Sequence, residues 1–169
     1  AHFDWFKGDF IAEMIARERE GAHPASIRVW SAACSSGEEP YSIAICFAEN
    51  LLRLRNWKLQ IVGTDISEAA LRNARNAVFK ERTMEGVTAA QRRRHFDEIE
   101  DGKSWQLRQP LRDMVEFRRH NLMEAMRPPA FDCIFIRNVL IYFDRESKQE
   151  DIKHLISALA RGGYLVVGP

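Results

Sequence analysis

Short apolar runs alternate along this chain with longer segments whose apolar positions recur every three or four residues. Residues 27–33 (IRVWSAA) form a nearly continuous apolar run, which predicts a buried strand. Segment 38–55 then places Ala44, Phe47, Ala48, Leu51 and Leu52 at helical spacing, with Glu49, Asn50, Arg53 and Arg55 toward water. Pro40 falls in the first turn of that helix, where its missing N–H leaves nothing unpaired. A second strand over 59–64 leads into Asp65, and Ser67 offers a hydroxyl N-cap for a helix reaching about Ala77. Further runs at 115–120 (VEFRRH), 131–136 (FDCIFI) and 164–168 (YLVVG) predict three more strands. Between the last two, 145–160 is helical by pattern, with Ile152, Leu155, Ile156 and Leu159 on one face and Gly162-Gly163 as its stop. Strands separated by helices of this length predict parallel βαβ units with right-handed crossovers, a Rossmann-like α/β fold.

Residues 86–114 interrupt the alternation. Positions 88–96 predict a short basic helix carrying Arg92, Arg93 and Arg94, and Asp101-Gly102 is a turn signal. The polar stretches around it predict small paired strands near 105–107 and toward Val115, an insertion projecting from the main sheet. The domain expectation is one unit over 1–169, with a helical lead-in over 1–26 and an inserted β-subdomain over 86–114.

Composition narrows the function classes. At 169 residues the chain has the length of one domain, and 25 Lys plus Arg against 24 Asp plus Glu leave a net charge of +1. A general nucleic-acid or membrane binder is more basic, and no apolar run approaches the ~20 residues of a membrane span. Neither nucleic acid nor membrane insertion is therefore expected. Cys34, Cys46 and Cys133 are odd in number and set in apolar stretches without CxxC pairing, which fits a reduced, cytoplasmic protein. The five histidines form no metal-ligand spacing, so no metal is expected.

In an open α/β sheet, ligands bind beyond the carboxyl ends of the strands. Beyond the first predicted strand lies the run of small residues Ala33-Cys34-Ser35-Ser36-Gly37, opening a helix at Glu38-Glu39. Asp65, 28 positions after Gly37, has the place of an acid that accepts from a ribose diol. The loop has one glycine and is no GxGxxG. Two glutamates would repel a pyrophosphate but suit a ligand carrying an amino group or a sulfonium, which favours S-adenosylmethionine (SAM) over NAD, FAD or ATP. The competing reading is that both merely stabilise the helix N-terminus, by ~0.3–1 kcal/mol each. Arg137-Asn138, between two apolar runs, falls at a strand end facing the ligand. Tyr142 offers an aromatic wall with a hydroxyl, or simply core packing, and Arg137 alternatively pairs with a surface acid. Asn121 falls near an adenine edge by the same topology.

The strings WSAACSSGEEPYSIA (30–44), GTDIS (63–67), NL (121–122), FDCIFIRNVLIYF (131–143) and GGYLVVG (162–168) occur in order. Together they resemble the methyltransferase domain of CheR-type chemotaxis receptor glutamate methyltransferases, from about Ile27 onward. The resemblance implies methyl transfer from SAM to glutamate side chains in the helical cytoplasmic region of a chemoreceptor-like protein. It leaves S-adenosylhomocysteine (SAH) as product. It also implies that Glu39, or its neighbour Glu38, holds the methionine part and Asp65 the ribose. Ala33, Ile66, Asn121, Leu122, Arg137 and Asn138 then line the pocket, and Tyr142 stands beside the transferring methyl. The family's catalytic-site arginine has no clear counterpart in HFDWFKGDF, where Lys7 is the nearest basic residue. The stretch 97–103 is short and acidic with one glycine, which speaks against docking of a receptor tether peptide. The family's preceding helical domain and final strands are not in this sequence, and a monomer is expected. The alternative function is a SAM- or SAH-binding regulatory module without turnover. A basic excess over 72–94 reads either as a steering surface for an acidic receptor or as a solvated helix face.

Overall fold

The structure is a computed structural model describing residues 2–137 and 145–168. Its first element is a continuous helical stretch: α1 (His2–Trp5), a wider π turn over Phe6–Phe10, and α2 (Ile11–Arg19). Phe6, Phe10, Ile11 and Met14 bury its inner face, and the Phe6 and Phe10 rings stack with centroids 4.9 Å apart. The chain continues through β1 (Ser26–Ser31), α3 (Glu38–Ala48), β2 (Lys58–Asp65) and α4 (Glu68–Asn76). A smaller unit follows: β3 (Val78–Lys80), a 3-10 turn at Thr83–Gly86, α5 (Ala89–His95), β4 (Phe96–Ile99) and β5 (Ser104–Leu107). Then come α6 (Gln109–Arg112), β6 (Val115–Arg119), β7 (Phe131–Arg137), α7 (Arg145–Ser157) and β8 (Leu159–Gly168).

The main sheet has the order β6-β2-β1-β7-β8 with every pairing parallel. Successive strands from β1 run outward through β2 to β6, and the chain then returns to the other side of β1 for β7. The order therefore reverses between β1 and β7, and beyond their carboxyl ends lies the position of the ligand crevice in open α/β sheets. Side-chain alternation sends Ile27, Val29, Cys133 and Phe135 into one core, with α1–α3. It sends Trp30, Ala32, Ile134 and Ile136 into the other, with Leu155 and Ala158. Phe131 joins the second core at the place where the β7–β8 pairing is irregular, between Phe131 and Cys133.

Several element ends differ from the periodicity reading. Helix α3 stops at Ala48 rather than continuing to 55. Asn50 Nδ2 donates to the Cys46 carbonyl at 2.9 Å and to the Lys7 carbonyl at 3.3 Å, drawing the last turn into a cap. Leu51 and Leu52, assigned by pattern to the buried face, are 57% and 90% exposed. The Ser67 cap forms as expected, accepting from Ala70 N at 3.1 Å, and α4 ends in a left-handed Ala77. Helix α7 ends at Ser157 and β8 takes in the glycine pair. A Cβ on Gly163 would lie 3.0 Å from the carbonyl oxygens of Ala160 and Phe131, so the residue serves a close strand approach instead of a helix stop.

The inserted antiparallel sheet has the order β3-β5-β4. Its first strand starts at Val78, ahead of the expected 86, and the partner strands of β5 are β3 and β4. Among the described residues, 115–119 pair with β2 in the main sheet and with no strand of the small one. Phe79, Met84, Phe96 and Leu107 bury against the outer side of α3, fixing this unit beside the helix that starts at the crevice.

Candidate functional site

The crevice is built around the turn that follows β1. Ala33 (φ 55°), Ser35 (φ 52°) and Gly37 (φ 92°) are all left-handed, so the backbone folds tightly before α3. A Cβ on Gly37 would lie 3.0 Å from Ala74 Cβ and 3.2 Å from the Tyr41 ring, so both space and φ demand glycine. Cys34 N–H donates to the Thr64 carbonyl at 2.7 Å, tying the turn to the end of β2.

Asp65 closes the other wall. Its Oδ2 accepts from Ser35 N at 2.8 Å and its Oδ1 from Ser67 N at 2.9 Å, so one carboxylate clamps the two loops together. A carboxylate has about four lone-pair sites, which leaves two for a ligand diol. His120 N–H donates to the Asp65 carbonyl at 3.1 Å and brings 120–122 beside it. Asn121 Oδ1 accepts from Met123 N at 2.9 Å in a local turn, while Leu122 packs on the Trp30 core. Ile66 is 55% exposed at the rim.

Glu39 and Glu38, left as alternatives by sequence, separate by helix phase. Glu39 lies on the crevice side of α3, where its Oε1 accepts from Ser31 Oγ at 2.7 Å. Its Oε2 sits 3.0 Å from Arg137 Nε at the end of β7, an ion pair lacking hydrogen-bond alignment. Burial raises the Glu39 carboxyl above its ordinary value of 4.5, with Ser31 and Arg137 pulling it back only in part. Glu38 turns away toward the cleft between α3 and the small sheet, with Ser42, Phe79 and Thr83, and accepts from Ser36 Oγ at 2.6 Å.

Lys7 does not join this site. Its Nζ bonds Glu49 Oε2 at 2.9 Å at the far end of α3, because the buried face of the N-terminal helix directs it there. His2 and Phe3 reach the crevice in its place: His2 Nδ1 is 3.3 Å from Arg137 Nη1, and Arg137 Cζ lies 5.2 Å from the Phe3 ring centroid. Asn138 and Tyr142 lie outside the described residues. Sequence reasoning missed Ser31, whose only signal was a hydroxyl inside an apolar strand, and His120. Both His120 ring nitrogens are buried without a partner among the described residues, and the ring meets Trp30 edge-on at 5.6 Å. Burial pushes the Cys34 and Cys46 thiols up to about 12, so neither is a nucleophile at neutral pH. No group of three metal-ligating side chains occurs among the described residues.

The basic excess over 72–94 is partly consumed by the fold. Arg92 lies over Trp105 and bonds Glu81 and the Met84 carbonyl, and Arg94 sits 3.5 Å from Glu49.

The family model described as CheR methyltransferase, SAM binding domain, matches residues 1–169. A chemotaxis protein methyltransferase of Borreliella burgdorferi is 34% identical over 170 residues, covering 99% of this chain and 59% of that protein. One of Listeria innocua is 42% identical over 142 residues, covering 84% of this chain and 52% of that protein. The chain thus spans little more than half the length of these curated relatives. Among solved structures, the glycopeptide N-methyltransferase MtfA complexed with sinefungin aligns with a TM-score of 0.51 at 14% identity, over 94% of this chain and 48% of its own. That likeness is one of fold alone.

Proposed function

Because the chain belongs to the family of CheR methyltransferase SAM-binding domains, we propose that it transfers the methyl group of SAM to glutamate side chains of a chemoreceptor-like protein. SAM is the family's cofactor. The observation that supports the reading most is the incompletely neutralised Glu39 at the β1–β7 crossover, with Arg137 beside it. A zwitterionic amino-acid head group suits that pair: Glu39 takes the ammonium and Arg137 the carboxylate. Asp65, held by two backbone N–H groups, takes the ribose hydroxyls, with Asn121, Leu122, Ala33 and Ile66 around the nucleoside. Asn138 and Tyr142 keep the roles that the family resemblance implies. Glu38, on the small-sheet side of α3, lies apart from this pair.

The bound cofactor supplies a sulfonium-linked methyl group as electrophile. An acceptor glutamate, with an ordinary pKa of about 4.3, is already ionised at neutral pH, so the protein need supply no general base. What the chain contributes is placement, an effect that can lower a barrier by ~7–11 kcal/mol. A buried, engaged carboxylate at Glu39 and a backbone-clamped Asp65 are groups of that kind, fixed before a ligand arrives. We further propose that the acceptor is the helical cytoplasmic region of the receptor and that the protein works as a cytoplasmic monomer.

Calorimetry with SAH and labelling with methyl-labelled SAM test this reading together. Submicromolar to micromolar SAH binding that is lost in Asp65→Ala, with base-labile label on a chemoreceptor cytoplasmic fragment, is the expected result. SAH binding without label on any such fragment would instead establish a binding module. No SAH binding at all would remove the site assignment.

A further inference from the structure

We propose that His2 and Gly168 are positioning residues for Arg137, and through it for the carboxylate of an amino-acid head group held against Glu39. This rests on the site reading above and adds to it a part of the chain far away in sequence. Across the carboxyl edge of the sheet the order is Gly168 on β8, His2 on α1, Arg137 on β7, Glu39 on α3 and Ser31 on β1. Each member touches the next. His2 Nδ1 accepts from Arg137 Nη1 at 3.3 Å, Arg137 Nε faces Glu39 Oε2 at 3.0 Å, and Glu39 Oε1 accepts from Ser31 Oγ at 2.7 Å.

The imidazole lies where a side chain at position 168 would crowd it and push it aside. A Cβ there would lie 2.9 Å from His2 Cε1, and 3.5 and 3.6 Å from Arg137 Cδ and Cγ. Phe3, stacked on Phe135 at 5.7 Å, holds the helix start against β7 so that His2 reaches this slot. A guanidinium on a long flexible stem gains most as a ligand when its orientation is set beforehand. With Nε turned to Glu39 and Nη1 to His2, the remaining N–H groups have no partner among the described residues and form a fork of the shape that takes a carboxylate. A guanidinium can only donate, so the contact is made by the His2 tautomer whose Nδ1 is free to accept.

The test compares two ligands by calorimetry on the full chain: SAH, and methylthioadenosine, which keeps the nucleoside and sulfur but lacks the amino-acid head. His2→Ala and Gly168→Ala should each weaken SAH about fivefold, the scale of one misaligned charge-assisted bond, and leave methylthioadenosine unchanged. The double variant should be no weaker than His2→Ala alone, because the added methyl then meets no ring. His2→Asn, which restores an acceptor, should recover most of the affinity. Unchanged SAH affinity in both single variants would overturn the proposal, as would equal losses for both ligands or additive losses in the double variant. A wild-type chain that binds neither ligand would overturn the site reading as well, whereas intact wild-type binding with insensitive variants removes this inference alone.

Discussion

The two ends of α3 each carry a nearly buried glutamate with a basic partner, yet the two are prepared for different work. Glu39, at the crevice end, is 13% exposed and faces Ser31 and Arg137. Glu49, just past the other end, is 12% exposed and faces Lys7, Gln91 and Arg94. Burial is the first influence on both, raising each carboxyl. At Glu49 the hydrogen bonds from Lys7 and Gln91 and the charges of Lys7 and Arg94 outweigh it, and the net shift is downward. At Glu39 they do not, and the net shift is upward. Similar side-chain exposure therefore does not make equal sites: Glu39 lies deeper among protein atoms and has fewer groups to offset that burial. A saturated carboxylate is a joint, tying the N-terminal helix and the inserted unit to α3. An undersaturated one still has binding capacity for a cation from outside.

The sharpest way to break this contrast is Glu39→Gln. Losing a charged hydrogen-bond acceptor of the head group should weaken SAH by about 10- to 100-fold, from ~1.5–3 kcal/mol, measured by calorimetry. The thermal midpoint should stay close to that of the wild type. Glu49→Gln should do the reverse. It should lower unfolding stability in a urea titration by about 1–2 kcal/mol, less than a fully buried pair because Lys7 and Arg94 are half-exposed, and leave SAH affinity unchanged. A Glu49 variant that lost cofactor affinity would merge the two ends into one site.

A pH series separates the ends without mutation. Protonated Glu39 cannot pair with an ammonium, so SAH affinity should fall on acidification while the pH is still above 4.5. Without ligand, its raised value means the folded state holds the proton more tightly, so its contribution to stability is lost as the pH rises. Glu49, shifted downward, contributes stability that is present above 4.5 and lost as the pH falls through its folded value. Binding should thus fail before the joint does. Coincident loss of affinity and of folded signal would contradict the assignment. The smallest effect is expected at the thiols: Cys34 near one end and Cys46 near the other, both pushed to about 12, should resist alkylation alike in the native protein at pH 8. Selective labelling of Cys34 would point to a more open crevice.

Much of this arrangement can be read along the chain. The strands at 26–31, 58–65 and 131–137 lie within a few residues of their apolar runs, since a central strand of a parallel sheet is covered on both faces and must be continuously apolar. Asp65 was legible because it follows such a run directly. The short β3 was not, because three residues with one buried position carry no periodicity. The end of α3 was missed because the Asn50 cap depends on the Lys7 carbonyl, 43 positions away. Lys7 was drawn toward the site as the nearest basic residue to the family's arginine segment, and His2, which opens the same stretch, was passed over because its contact with Arg137 spans the whole domain.

By itself the sequence determined the α/β alternation, the small-residue turn after β1, the acids at its borders and the family to which they belong. Those features are local: period, turn chemistry and residue type act over a few positions. Which glutamate faces the crevice, which end of α3 receives Lys7, and which residue steadies Arg137 were decided by tertiary structure alone. Helix phase and the docking of the N-terminal helix set those pairings across 42 to 135 residues of chain, from Lys7–Glu49 through Glu39–Arg137 to His2–Arg137.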